Sequence, residues 1–265
     1  MHQPTTDTTG ETILLENLPF EVDASIASRA TIGLIVLATD YTIEHEWRQL
    51  FAQIDGIALY QSRIDNEDTI TPQTLRAMAP RISECARVIT PDTGIDVIAY
   101  GCTSASMAIG ESKVFELIKA GKPDATCTTP ITAAFAAFDA FKAKRIGVLT
   151  PYTTKVNRIV ADYIVSRGYE VPVFASFNEA RDTVVSRITP ESIEKAVRSL
   201  IKRVSVDAIF VSCTSLRLMA ACARLEKSLG IPVTSSNHAM AWHALRLCHI
   251  KDKWGQFGSL YDLDL

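Results

Sequence analysis

One pattern occurs twice in this chain, and a repeat of that kind restricts the fold to two similar units. Ile95-Asp96-Val97-Ile98-Ala99-Tyr100-Gly101-Cys102-Thr103-Ser104 is matched by Val206-Asp207-Ala208-Ile209-Phe210-Val211-Ser212-Cys213-Thr214-Ser215. Upstream, Ile32-Gly33-Leu34-Ile35-Val36-Leu37 is echoed by Ile146-Gly147-Val148-Leu149. The paired cysteines lie 111 residues apart and the paired glycines 114, close enough for one duplication to relate both matches. Each copy is a short apolar run ending in small polar residues, the form of a buried parallel strand that delivers its last residues to a site.

Such runs alternate with longer amphipathic stretches, which predicts an α/β fold: two Rossmann-like lobes with parallel sheets, related by a pseudo-twofold axis. Strands are expected at 31–38, 95–100, 145–149, 170–175, 207–212 and 232–234. Helices are expected at 44–54, 72–90, 155–167 and 190–204, the last with Thr189 as N-cap and Pro190 at its first position. The division is a tail over 1–29, a first lobe over 30–130 completed by a C-terminal helical segment at 238–265, and a second lobe over 131–237. Ligands of such sheets bind beyond the carboxyl ends of the strands, which places Cys102 and Cys213 on opposite sides of one cleft.

Composition removes several function classes. A formal charge of −3, with no basic run interleaved with aromatics, argues against nucleic acid. No apolar run approaches the ~18 residues of a membrane helix, and the polar, Thr-rich start does not read as a secretory signal, so a cytoplasmic protein is expected. There is no GxGxxG after a strand and no GxxxxGK[ST]. His238, His243 and His249 do not share a helical face, and none of the six cysteines forms a CxxC pair, so no metal or cofactor is expected. Asp65, Glu67 and Asp68 read as a solvated loop, and Arg217 as solvent-facing as readily as carboxylate-binding. Exposed apolar helix faces suggest a homo-oligomer.

A lone strand-end cysteine packs more often than it reacts. Its duplication in the same Cys-Thr-Ser setting, with a helix expected after each copy, favours chemistry. Helix N-termini lower a thiol's pKa and stabilise developing negative charge. Two facing thiols can invert a stereocentre, one removing an α-proton while the other supplies one from the opposite face. Alternatively, one thiolate adds to a double bond, which rotates as a single bond before elimination. A non-catalytic small-molecule sensor is the competing class, since two lobes around a cleft also describe binding proteins.

These residues resemble the aspartate/glutamate racemase superfamily, and within it the branch of maleate cis–trans isomerases, arylmalonate decarboxylases and the ectoine-utilisation protein EutA. The marks are Gly101 to Ser104, Ser212 to Arg217, Leu149 to Thr153 and Thr234 to Ala239. The resemblance implies that Cys102 and Cys213 are the catalytic pair and that Tyr152 binds a carboxylate of a small substrate. Thr103, Ser104, Thr214, Ser215 and Asn237 complete the expected pocket. Maleate isomerases carry Asn in the loop after the first strand, where this chain has Asp40. A second family Asn falls near Asp182-Thr183, and Thr183 is taken as the pocket residue there. An ionised Asp40 would repel a second carboxylate, which turns the expectation from maleate toward a substrate bearing an amino or amide group. Decarboxylases of this fold keep only the second cysteine, so Cys102 argues against that activity.

Overall fold

The computed structural model describes residues 14–23, 26–91 and 93–265. Two four-stranded parallel sheets form the frame. The first contains β1 (Ala30–Leu37), β2 (Ile57–Ile64), β3 (Val97–Gly101) and β4 (Thr126–Thr128) in the order β2-β1-β3-β4. The second contains β5 (Arg145–Thr150), β6 (Glu170–Ser176), β7 (Ala208–Val211) and β8 (Val233–Ser235) in the same relative order, β6-β5-β7-β8. This is the α/β arrangement of two similar lobes that the repeat predicts.

The repeat also has a structural explanation below its cysteines. Asp96 accepts hydrogen bonds from the backbone and hydroxyl of Thr31, at 2.7 and 2.8 Å, and so ties the start of β3 to β1. Asp207 accepts from the backbone N–H groups of Lys144 and Arg145, at 2.9 and 2.8 Å, tying β7 to β5 in the same way. Central strands β3 and β7 are buried along their whole length, as continuous apolar runs between helical layers must be.

Two strands were not readable from sequence. β2 lies at a sheet edge with Gln61, Ser62 and Arg63 in its second half, so its apolar pattern is interrupted. β4 has three residues. The expected long helix at 72–90 is instead Pro72–Arg76, one tight turn at Ala79–Arg81 and Ile82–Arg87. Pro80 breaks it, because its ring occupies the space of the carbonyl four residues back and it offers no N–H.

Helix Ser236–Leu247 packs on helix Pro130–Ala140 and on β3. It joins Ile32, Leu34, Val36, Trp47, Val97, Ala133 and Ala137 in one apolar cluster through Met240, Trp242 and Leu245. Full burial of each such side chain is worth roughly 1.5–3 kcal/mol. The indole N–H groups are not left unsatisfied: Trp47 donates to the Asn237 carbonyl and Trp242 to that of Leu263, both at 3.1 Å. The expected tail at 1–29 falls partly outside the described residues; from Leu14 to Val22 the chain is irregular and Leu14, Leu15, Leu18, Phe20 and Val22 are exposed. Among the described residues, no helix is long and apolar enough to cross a membrane.

Candidate active site

Cys102 follows β3 in extended conformation and occupies the N-cap of helix Thr103–Ile109. The backbone N–H of Ala105 and the hydroxyl of Ser104 reach its sulfur. Cys213 follows β7, but the expected helix after it is absent: the chain turns through Thr214 to Leu216 and only a short turn at Met219–Ala221 precedes helix Cys222–Leu229. Its sulfur meets the N–H of Ser215 and the hydroxyl of Tyr152 instead. One helix N-terminus, not two, serves the pair.

Both cysteines line a single small cavity together with Ser104, Tyr152, Asp182, Thr214, Asn66, Glu67 and an apolar wall that includes Leu37, Ile70, Leu75 and Met78. Its free space, about 20 Å³, holds little more than one water. Tyr152, at the end of β5, stands between the halves of the repeat, with its hydroxyl against the Cys213 sulfur and the Ser104 hydroxyl. Burial raises its pKa well above the ordinary value, so it remains a hydrogen-bond donor.

The thiols are not activated at rest, contrary to the expectation from helix N-termini. Burial pushes Cys102 up to about 12, against the smaller opposing pull of the Ala105 N–H. Cys213 is raised well above the ordinary value, by burial first and the Asp182 charge second. With both groups nearly inaccessible (3% and 4% exposed), the cost of desolvating a thiolate exceeds what one or two hydrogen bonds return.

Two carboxyl groups stand beside the sulfurs. Asp40, fully buried, accepts from the N–H groups of Thr42 and Ile43 through Oδ1, at 2.7 and 3.0 Å, while its Oδ2 has no hydrogen-bond partner. Asp182 accepts from Ser215 Oγ at 2.7 Å and Thr39 Oγ1 at 2.6 Å, one from each lobe. Burial, and then the neighbouring Asp40, push Asp182 up to about 6. Asp40 is raised by burial as well.

Several residues singled out in the sequence stand around the cavity and not on its wall. Thr103 shares a 2.7 Å hydrogen bond with Ser236. Ser215 holds Asp182 and accepts from Thr42 Oγ1 through its carbonyl. Asn237 donates to the Thr214 carbonyl at 2.8 Å and to Glu46 Oε2 at 2.7 Å, bracing the Cys213 turn from behind. Burial raises Glu46 to about 7. At the second family-Asn position the wall residue is Asp182, while Thr183 donates its N–H to Asp68 Oδ1 at 2.8 Å. The loop at 65–68 is solvated at Asp65 and Glu67, as expected, and is also a cover: Asn66 and Glu67 line the cavity, and 68–70 pairs with 180–182 across the lobes. Arg217 points to the Ile188 carbonyl. His238 and His243 are buried, bonded to Thr234 and Thr128.

Residues 32–261 match the model of the arylmalonate decarboxylase family. The chain is 26% identical over 228 residues to a maleate isomerase of Pseudomonas putida (strain KT2440), covering 81% of this chain and 90% of that one. It is 27% identical over 225 residues to the arylmalonate decarboxylase of Bordetella bronchiseptica, covering 83% and 91%. Among solved structures, the maleate cis–trans isomerase of Nocardia farcinica, as a Cys-to-Ser mutant with a covalently bound succinylcysteine intermediate, superposes with a TM-score of 0.80 at 26% identity, covering 88% of this chain and 98% of that one. The family match spans both lobes and both cysteine turns, and the chain belongs to the arylmalonate decarboxylase family.

Proposed function

We propose that this protein is a cofactor-independent isomerase that racemises or isomerises a small carboxylate, with Cys102 and Cys213 as a two-thiol acid–base pair. The observation that carries the reading is the placement of both cysteines of the repeat on one cavity, with the Tyr152 hydroxyl against the Cys213 sulfur. In racemisation, one sulfur as thiolate takes the α-proton and the other, as thiol, gives its proton to the opposite face; the turnover leaves the two protonation states exchanged. Tyr152 and Ser104, whose hydroxyls can turn from the sulfurs, are the proposed donors to the carboxylate as it gains enolate character. Thr214 is the remaining wall residue of the proposed pocket, and Asp40, Thr103, Thr183, Ser215 and Asn237 stand behind that wall. By resemblance, an amino acid derivative of ectoine breakdown is the proposed substrate type.

Thiolate addition to a double bond is the second reading, favoured by the succinylcysteine of the Nocardia relative. Decarboxylation is the third activity in the family and is disfavoured by Cys102. Six free cysteines support a reducing compartment, the cytoplasm. The exposed apolar side chains at 14–26 support a homo-oligomer.

The test follows a panel of small 2-amino carboxylates and maleate by proton NMR in deuterated buffer. The wild type is expected to convert at least one, with deuterium appearing at an inverted α-carbon, and a Cys102→Ser/Cys213→Ser double variant none. A double variant of full activity contradicts the reading, and so does a wild type that only binds.

A further inference from the structure

We infer that Glu46, on helix Ile43–Phe51 of the first lobe, is the positioning residue for Cys213 in the second: as a carboxylate it holds the turn that carries the sulfur, and on protonation it lets that turn loosen. The hold on the turn stands on geometry; its effect on turnover rests on the isomerase reading.

After Cys102 the chain meets its own backbone needs, the Ser106 N–H donating to the Cys102 carbonyl and the Gly110 N–H to that of Ser106, as in any helix. After Cys213 there is no such helix, and the polar groups of the turn are met from the other lobe. Thr42 gives its hydroxyl to the Ser215 carbonyl at 2.9 Å. One helical turn on, Glu46 accepts the Met219 N–H through Oε1 at 2.9 Å and also meets the N–H of Leu218. Its Oε2 accepts from Asn237 Nδ2 at 2.7 Å, and the same nitrogen donates to the Thr214 carbonyl at 2.8 Å. Thr214 follows Cys213 in sequence and lines the cavity.

Each of these partners of Glu46 is a donor, so the side chain in that place must be an acceptor at both oxygens, which only the ionised acid is. Asn237 depends on it. With Nδ2 spanning two acceptors, Asn237 Oδ1 is left buried without a partner, a cost that a charge-assisted bond to the carboxylate offsets. A proton on either oxygen of Glu46 sets a donor against a donor, and one attachment of the turn is lost.

That proton is exchanged in the neutral range, because burial raises Glu46 to about 7. Asp40 ahead of the helix, Cys222 and Tyr261 are the titratable groups that act on it from the interior, and none is a cation. His45, Glu191, Glu194, Arg217 and Arg224 stand along an adjoining cleft, where Arg224 is paired with Glu194. Glu46 also lines a second cleft of about 250 Å³, with Gln49 and Met219, that shares no residue with the cavity of the two cysteines. The protonated acid is the cheaper form to bury, so the effect is local to the turn and not a loss of global stability.

The test reads the turn before it reads turnover. Backbone amide exchange over 214–219 is followed by mass spectrometry, corrected for the intrinsic rate at each pH, with helix Thr103–Ile109 as internal reference. At about pH 8, Glu46→Gln is expected to raise exchange over 214–219 about tenfold and to leave 103–109 unchanged. The wild type is expected to show the same rise on going from about pH 8 to about pH 6, a measurement that serves should the variant fold poorly. Wild-type protection equal at both pH values, or a variant as protected as the wild type at about pH 8, overturns the proposal. Where a substrate turns over, the step in kcat near 7 should vanish in Glu46→Gln, while any step near 6, where Asp182 titrates, remains. A variant that keeps the step near 7 overturns the positioning role. An inactive wild type that gives both exchange results overturns the isomerase reading and upholds the hold on the turn.

Discussion

The two cysteine turns begin from one sequence pattern and end in different surroundings. Cys102 sits at the start of a helix, with Ala105 N–H and Ser104 hydroxyl for its charge; Cys213 sits on a turn, served by Ser215 N–H and Tyr152. Behind them, Gly101 lies where the second lobe has Ser212. Asp182 ranks directly after burial in holding Cys213 up, whereas at Cys102 the Ala105 N–H outranks it in the opposite sense. Duplication thus supplies two thiols, and the later differences give each its own neighbours. The pair is chemically asymmetric even though the backbone frame is repeated.

The strongest way to break that comparison is to remove one sulfur at a time. Cys102→Ser and Cys213→Ser are each expected to lower kcat/KM by about 10³-fold, since each group acts as acid in one direction and base in the other. A variant that keeps activity within tenfold would reduce the pair to one catalytic thiol. Tyr152→Phe removes a donor that only the Cys213 side possesses. It should cost about 10–100-fold in kcat, with the fold intact by circular dichroism.

Next come the residues before the cysteines. A Cβ on Gly101 would lie 2.9 Å from the Ile35 carbonyl oxygen, so Gly101→Ala should destabilise by about 1–3 kcal/mol in urea unfolding. Ser212→Ala at the equivalent position should be neutral or slightly stabilising, because its hydroxyl is buried without a partner. Equal costs at the two sites would mean that the lobes tolerate the same side chain.

The smallest effect concerns Asp182. Unfolded, it ionises near the ordinary 3.8; folded, at about 6. Folding therefore takes up a proton between those values, and stability falls as pH rises from about 4 to 6 and stays lower above. Asp182→Asn removes this component, so the wild type should lose about 1–2 kcal/mol more than the variant over that range, allowing for relaxation around the buried group. Identical slopes in pH-dependent unfolding would contradict the assignment.

The frame was legible because parallel central strands are buried on both faces and therefore read as unbroken apolar runs, as β1, β3, β5 and β7 do. Edge strand β2 was hidden by its polar second half, and β4 by its length. Among candidate site residues, Cys102, Cys213 and Tyr152 stand at strand ends, where sequence position and spatial position coincide. Asp182 opens the short helix Asp182–Val185 after β6, and what brings it to the cavity is a pairing between 68–70 and 180–182 that no local pattern announces. The cover at Asn66 and Glu67 was missed for the same reason: its acidic residues read as solvated, which Asp65 and Glu67 are, and the cross-lobe pairing beside them is not local. Where the helix after Cys213 is missing, Leu216 and Leu218, two residues apart, are both buried, the spacing of an extended segment and not of a helix face.

The central claim is that Cys102 and Cys213 face one bound molecule, and a short bifunctional reagent tests it without knowledge of the substrate. Treated with 1,3-dibromoacetone, the protein should gain a three-carbon bridge that peptide mass spectrometry places between Cys102 and Cys213, beside single adducts on the more exposed Cys85, Cys127 and Cys248. Separate adducts on the two sulfurs, or a bridge to Cys85, Cys127, Cys222 or Cys248, would contradict it.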